Sequence, residues 1–202
     1  LTRYSINCLN PTVNTQVGDL QRLPFVLSDH AIVSSIELLA IRNVEIKKQI
    51  CSFTIYDPLF VSSSISRFKT SIPANSLKEF FNYENHLLSQ VMINEAIMNE
   101  KIFDIYNLAE HDKAMVLIKE GESIGGFPVA PEALDAYFSK TDAIKDFPLD
   151  AIRDFIESLP TRKFTAEERE KIESGFPTLY QKNNDLEEFC IRHQVNPINV
   201  WY

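Results

Sequence analysis

The sequence predicts an α+β chain: a small antiparallel β-sheet with helices in an N-terminal domain, followed by three short helices. Three observations lead there. Residues from Phe25 to about Phe60 read as strands, with apolar positions at even spacing. Helix caps of the Ser/Thr-x-x-Glu kind begin at Ser76 and recur at Thr165. After Pro160, apolar residues return at helical spacing behind the Thr165 cap and a further cap at Asn184.

In chain order, "LPFVL" is a candidate strand. "AIVSSIELLAI" places Ile32, Ile36 and Leu38 on one face. "VEIKKQICSFTIY" runs Val44, Ile46 and then shifts phase to Cys51, Phe53 and Ile55, as a β-bulge requires. Arg42-Asn43 is the turn between these two strands, Asp57-Pro58 ends the second, and "SSSISRFKTS" is a polar connector or an edge strand. Ser76 to Glu79 forms a capping box. The helix it starts carries Leu77, Phe80, Phe81, Leu87, Leu88, Val91 and Met92, with Met92 and Met98 as core filler. Met115 to Ile118 is a short strand entering the glycine turn "GESIGGF". "PEALDAYFSK" and "LDAIRDFIESL" are helices, the second with a stripe of Leu149, Ile152, Phe155, Ile156 and Leu159 stopped by Pro160. A domain boundary falls there, dividing 1–160 from 161–202.

Composition excludes several classes. No apolar run has membrane-spanning length, so no membrane partner is expected. The chain begins at Leu1 rather than Met and reads as a piece of something longer, so a leader upstream stays open. Cys8, Cys51 and Cys190 lack any CxxC spacing and read as reduced, buried small hydrophobes of an intracellular protein. The four histidines are scattered and no His/Cys pair has zinc spacing, so neither metal nor other cofactor is expected. Gly121, Gly125 and Gly126 miss the dinucleotide and phosphate-loop patterns, and no serine sits in a nucleophile elbow. Glu110, His111 and Asp112 are neighbours on a helix end and diverge, so the sequence nominates no enzyme site. The net charge of −8 opposes non-specific nucleic-acid binding. Residues 161–202 hold six Lys/Arg against seven Asp/Glu, so the acidity sits upstream.

The C-terminal end is the most readable. Thr165 to Glu168 is a capping box, Phe164 a staple before it, and Ile172 and Phe176 an inner face four residues apart. Asn184 to Glu187 caps a second helix with Leu186, Phe189 and Cys190 inward. Val195 is an apolar turn residue, Asn196 an N-cap and Pro197 a first helical residue. Three helices with a tight turn before the last make a helix-turn-helix plan.

These residues resemble the homeodomain family over about a fifth of the chain. "TRKF" is similar to its basic arm, Phe164…Ile172…Phe176 to its first helix and Tyr180 to its loop tyrosine. Leu186…Phe189-Cys190 resembles its second helix, and Val195…Val200 its turn and the start of its recognition helix. The loop is one residue shorter, and His193 stands where the family has an apolar residue. A second register sets Ile198, Trp201 and Tyr202 on the family's Val, Trp and Phe, with three deletions. The resemblance implies a third helix in the major groove and an arm in the minor groove. It nominates Arg162 and Lys163 as the arm, Tyr180 as a phosphate contact, and Asn199 and Tyr202 on the face nearest the backbone or bases. The expected parent chain continues past Tyr202 with several Lys/Arg and an Asn. The function implied is a nuclear DNA-associated regulator, not an enzyme, with protein-partner binding or self-association in residues 1–160. The alternative is a non-catalytic adaptor in which both parts bind protein.

Overall fold

The computed structural model describes residues 16–141, 150–175 and 183–201, together with Ser5 and Cys8. Its helices are α1 (Val17–Gln21), α2 (His30–Cys51), α3 (Ser64–Arg67), α4 (Pro73–Ile105), α5 (Glu110–Glu120), α6 (Pro131–Thr141), α7 (Asp150–Ser158), α8 (Ala166–Gly175), α9 (Asn183–His193) and α10 (Pro197–Trp201), with a 3₁₀ turn at Ile124–Gly126. The α+β expectation is overturned: among the described residues there is no strand, and the nearest thing to one is an isolated bridge between Val129 and Thr161.

The expected strands fail for identifiable reasons. Residues 30–51 form one helix, capped by Asp29, whose carboxylate accepts from the Ala31 N–H at 3.0 Å. Its buried positions are Leu39, Ile46 and Ile50, with Ile36 half-buried before them and Asn43 half-buried among them. That is a helical repeat, and the phase shift read as a bulge is where a two-residue period ceases to fit it. β-Branched residues cost a helix only about 0.5 kcal/mol each, which burial against α4 outweighs. Arg42-Asn43 is therefore no turn. The segment from Met115 to Ile118 lies inside α5, and "SSSISRFKTS" contains α3. "LPFVL" has no regular structure, although the Pro24 carbonyl accepts from the Tyr106 hydroxyl at 2.9 Å. The Ser76 capping box does not form: α4 starts earlier, with Pro73 in its first turn, and Ser76 is buried accepting from the Thr70 N–H at 2.9 Å. The helices expected at 131–140 and 149–159 are α6 and α7.

The long helix α4 organises the molecule. From Leu87 to Ile97 it is buried on nearly all sides, as a helix wrapped by neighbours must be. The polar residues this encloses are linked to one another. Tyr137 donates to Gln90 Oε1 at 3.2 Å, Gln90 Nε2 to Asn94 Oδ1 at 2.8 Å, and Asn94 Nδ2 to Asn43 Oδ1 at 2.7 Å. A chain of this kind removes the roughly 1–3 kcal/mol that each unpaired buried polar group costs. At the other end of α4, Phe53, Phe68, Phe80 and Tyr83 interlock, with Phe53 and Phe80 centroids 5.1 Å apart and edge-on.

Two apolar clusters fill the interior. One joins Ile46, Ile50, Leu88, Met92 and Ile124 to Phe164, Ile172, Leu186, Phe189, Cys190 and Val195. The other joins Leu39, Ile93, Tyr137, Ile152 and Ile156 to Ile198. Packing thus runs continuously across the position 160/161 at which the sequence suggests a boundary. Cys190 is buried as expected, whereas Cys8 and Cys51 are exposed. No helix among the described residues is long and apolar enough to cross a membrane.

Candidate functional site

Helices α8 and α10 begin at the caps read from the sequence. Thr165 Oγ1 accepts from the Glu168 N–H at 3.2 Å, and the Thr165 N–H donates to Glu168 Oε2 at 2.8 Å, closing the box in both directions. That backbone donor, with Arg162 nearby, holds the Glu168 carboxyl below its usual range. Phe164 is buried under the Arg162 guanidinium, whose carbon lies 4.5 Å from the ring centroid. Helix α9 begins at Asn183, one residue before the cap read from the sequence. The His193 ring lies 4.4 Å from that of Phe189.

The turn between α9 and α10 is Gln194, Val195 and Asn196. Gln194 takes the left-handed conformation with φ 51° and its side chain donates to Glu122 at 2.9 Å and to the Ile191 carbonyl at 3.0 Å. A non-glycine residue there is strained by about 1 kcal/mol. The buried Val195 carries the chain into the Asn196 cap, where Oδ1 accepts from the Ile198 N–H at 3.0 Å. Two helices are thus joined by a three-residue turn.

The same asparagine does more than cap. With no exposed surface, Asn196 also donates through Nδ2 to the carbonyls of Gly125 at 2.8 Å and Phe127 at 3.1 Å. Three residues on, Asn199 Oδ1 accepts from the Ala130 N–H at 2.8 Å and Nδ2 donates to the Pro128 carbonyl at 3.0 Å. The two side chains clamp the first turn of α10 onto residues 125–130, a segment without a ladder to satisfy its own backbone. The opposite edge of that segment is held by Arg162 N–H to Val129 O at 3.0 Å and Val129 N–H to Pro160 O at 2.9 Å. Gly125 lets the segment lie against α4: a Cβ there would stand 2.4 Å from the Met92 carbonyl oxygen.

Of the residues nominated for DNA, Asn199 lies in the contact between α10 and residues 128–130. It faces the body, not a solvent groove, because both its amide atoms are consumed by the 128–130 backbone. Arg162 is half-exposed and its Nη2 lies 3.3 Å from Glu168 Oε1. Lys163 is exposed beside it, its charge reaching Glu132. Tyr180 and Tyr202 lie outside the described residues, as does Phe176. Other cations of the unit end on carboxylates as well: Arg169 on Glu132 at 3.0 Å, Lys171 on Glu167 at 2.9 Å, and Arg192 on Glu188. No family model, no curated protein and no solved structure matches this chain.

Elsewhere, a largely apolar cleft of about 660 Å³ lies between Leu23, Phe25, Ile102, Tyr106 and Met115, with His111 and Asp112 at its edge. Among the described residues no three His, Cys, Asp or Glu side chains converge as metal ligands would. Burial pushes the Glu84 carboxyl up to about 7, and pushes Glu95 upward as well, against the pull of Lys47. The role of residues 125–130 as the seat of α10 was hidden in the sequence, since a lone glycine pair and two asparagines carry no pairing signal. The buried polar chain through Asn94 was hidden for the same reason.

Proposed function

We propose that this protein is a DNA-associated regulator of the nucleus, acting through residues 161–202, with residues 1–160 mediating self-association or partner binding. The observation that carries the reading is the α9–turn–α10 unit, with Gln194 left-handed, Val195 buried and Asn196 capping. The likeness to a homeodomain supports it in the same region. The clamp changes the roles within it. The first turn of α10 is an anchor that orients the unit on the body, and contact with DNA falls to the exposed arm, Arg162 and Lys163.

The test is fluorescence anisotropy of a labelled duplex of about 30 base pairs with the 202-residue chain at rising salt. Two arm cations on phosphates give a log–log slope of about −2, and Arg162→Ala with Lys163→Ala flattens it. Absence of binding at low salt overturns the reading.

A second reading, the non-catalytic adaptor, is favoured by the pairing of Arg162, Arg169, Lys171 and Arg192 with carboxylates. Cations already neutralised release fewer counterions and bind phosphate weakly. In that reading the chain binds no duplex at any salt concentration.

A further inference from the structure

Helix α2 buries one side against α4 and leaves another in solvent. On the solvent side, Glu37, Ile41, Val44 and Lys48 recur at spacings of four, three and four, so they form a single stripe about 16 Å long. All four are exposed, Ile41 at 51% and Val44 at 53%. The order along the stripe is acid, apolar, apolar, base. Reversed end to end, it is its own complement.

From this we infer that α2 is an interface for a second copy of the same chain, paired antiparallel about a two-fold axis between residues 42 and 43. In that register each Glu37 faces the second copy's Lys48, and each Ile41 faces the second copy's Val44. A two-fold contact must be self-complementary in this sense. A parallel pairing in register sets Glu37 against Glu37 and Lys48 against Lys48, which like-charge repulsion disfavours. Among the described residues, neither Glu37 nor Lys48 makes an ion pair within its own chain. A shallow cleft of about 350 Å³ borders the stripe, with Val44, Cys51 and Leu59 in its wall and Lys47, Asp57 and Glu95 around them. The second copy's Ile41 approaches the mouth of this cleft. The register also sets Ser34 opposite the exposed Cys51 of the second copy. The inference deepens the self-association part of the proposed function and rests on it, and it is independent of DNA.

The experiment is sedimentation velocity on the full chain across concentration, without DNA, for the wild type, Glu37→Lys, Lys48→Glu and the double variant. Each single reversal replaces two attractions by two repulsions and weakens the dimer about tenfold or more. The double variant exchanges the ends of the stripe and returns the affinity to within about threefold of wild type. Ser34→Cys, oxidised with copper phenanthroline, gives a chain-to-chain disulfide that peptide mapping places between position 34 and Cys51. Circular dichroism confirms that each variant folds; all the altered side chains are in solvent. A wild type that stays monomeric overturns self-association itself. A dimer indifferent to the single reversals, or not restored by the double one, or linked only through Cys51 to Cys51, overturns this face while leaving self-association standing.

Discussion

Asn196→Ala removes three hydrogen bonds at one buried point. The lost cap to the Ile198 N–H is worth about 1 kcal/mol. The lost donors leave the Gly125 and Phe127 carbonyls without that partner inside the molecule, at about 1 kcal/mol or more each. The expected destabilisation is therefore about 3 kcal/mol. Asn196→Ser keeps an oxygen able to cap but cannot reach both carbonyls, so it falls between, at about 2 kcal/mol. The assay is urea unfolding followed by circular dichroism and by the fluorescence of Trp201, the single tryptophan, which lies in α10 itself. Both probes are expected to move together, because α10 shares clusters with α2, α4 and α6. A loss below about 1 kcal/mol for Asn196→Ala, or a fluorescence transition well ahead of the circular dichroism, refutes the clamp.

Other substitutions test neighbouring parts of the same argument. Gly125→Ala drives a methyl into the Met92 backbone and is expected to cost about 3 kcal/mol or more, read by thermal melting. Ile198→Ala, fully buried between α4 and α6, is expected to cost about 3 kcal/mol in the same urea assay. Glu84 is raised by burial to about 7, so the folded state binds a proton that the unfolded state has released. Stability then falls as pH climbs from about 4.5 to about 7 and levels off above, by about 1–2 kcal/mol after allowing for partial exposure. Glu84→Gln is expected to flatten that slope and raise the melting temperature at pH 8. An unchanged slope rejects the assignment.

How much of this was legible in the sequence varied with the kind of signal. Thr165–Glu168 and Asn196-Pro197 are local devices whose partners lie within three residues, and both formed where the sequence placed them. The strands failed because "AIVSSIELLAI" is rich in β-branched residues and fits a two-residue period briefly. Only the longer run through Leu39, Ile46 and Ile50 shows the helical repeat. Ser76 has the form of a cap, yet tertiary burial and the proline three residues earlier moved the helix start. At the site, Asn199 was assigned to an outward face because the resemblance concerned three helices by themselves. Its true partners, Pro128 and Ala130, are some seventy residues away, where no local pattern reaches.

Native-state hydrogen exchange at the Ile198 and Ala130 amides tests the central claim most directly, since both N–H groups donate to the clamp asparagines. The account predicts that they exchange with the same opening free energy as core amides of α4 such as that of Ile93, through global unfolding. Exchange through a local opening several kcal/mol cheaper than the α4 core contradicts it, for α10 would then be a tail resting on the body and not a part of it.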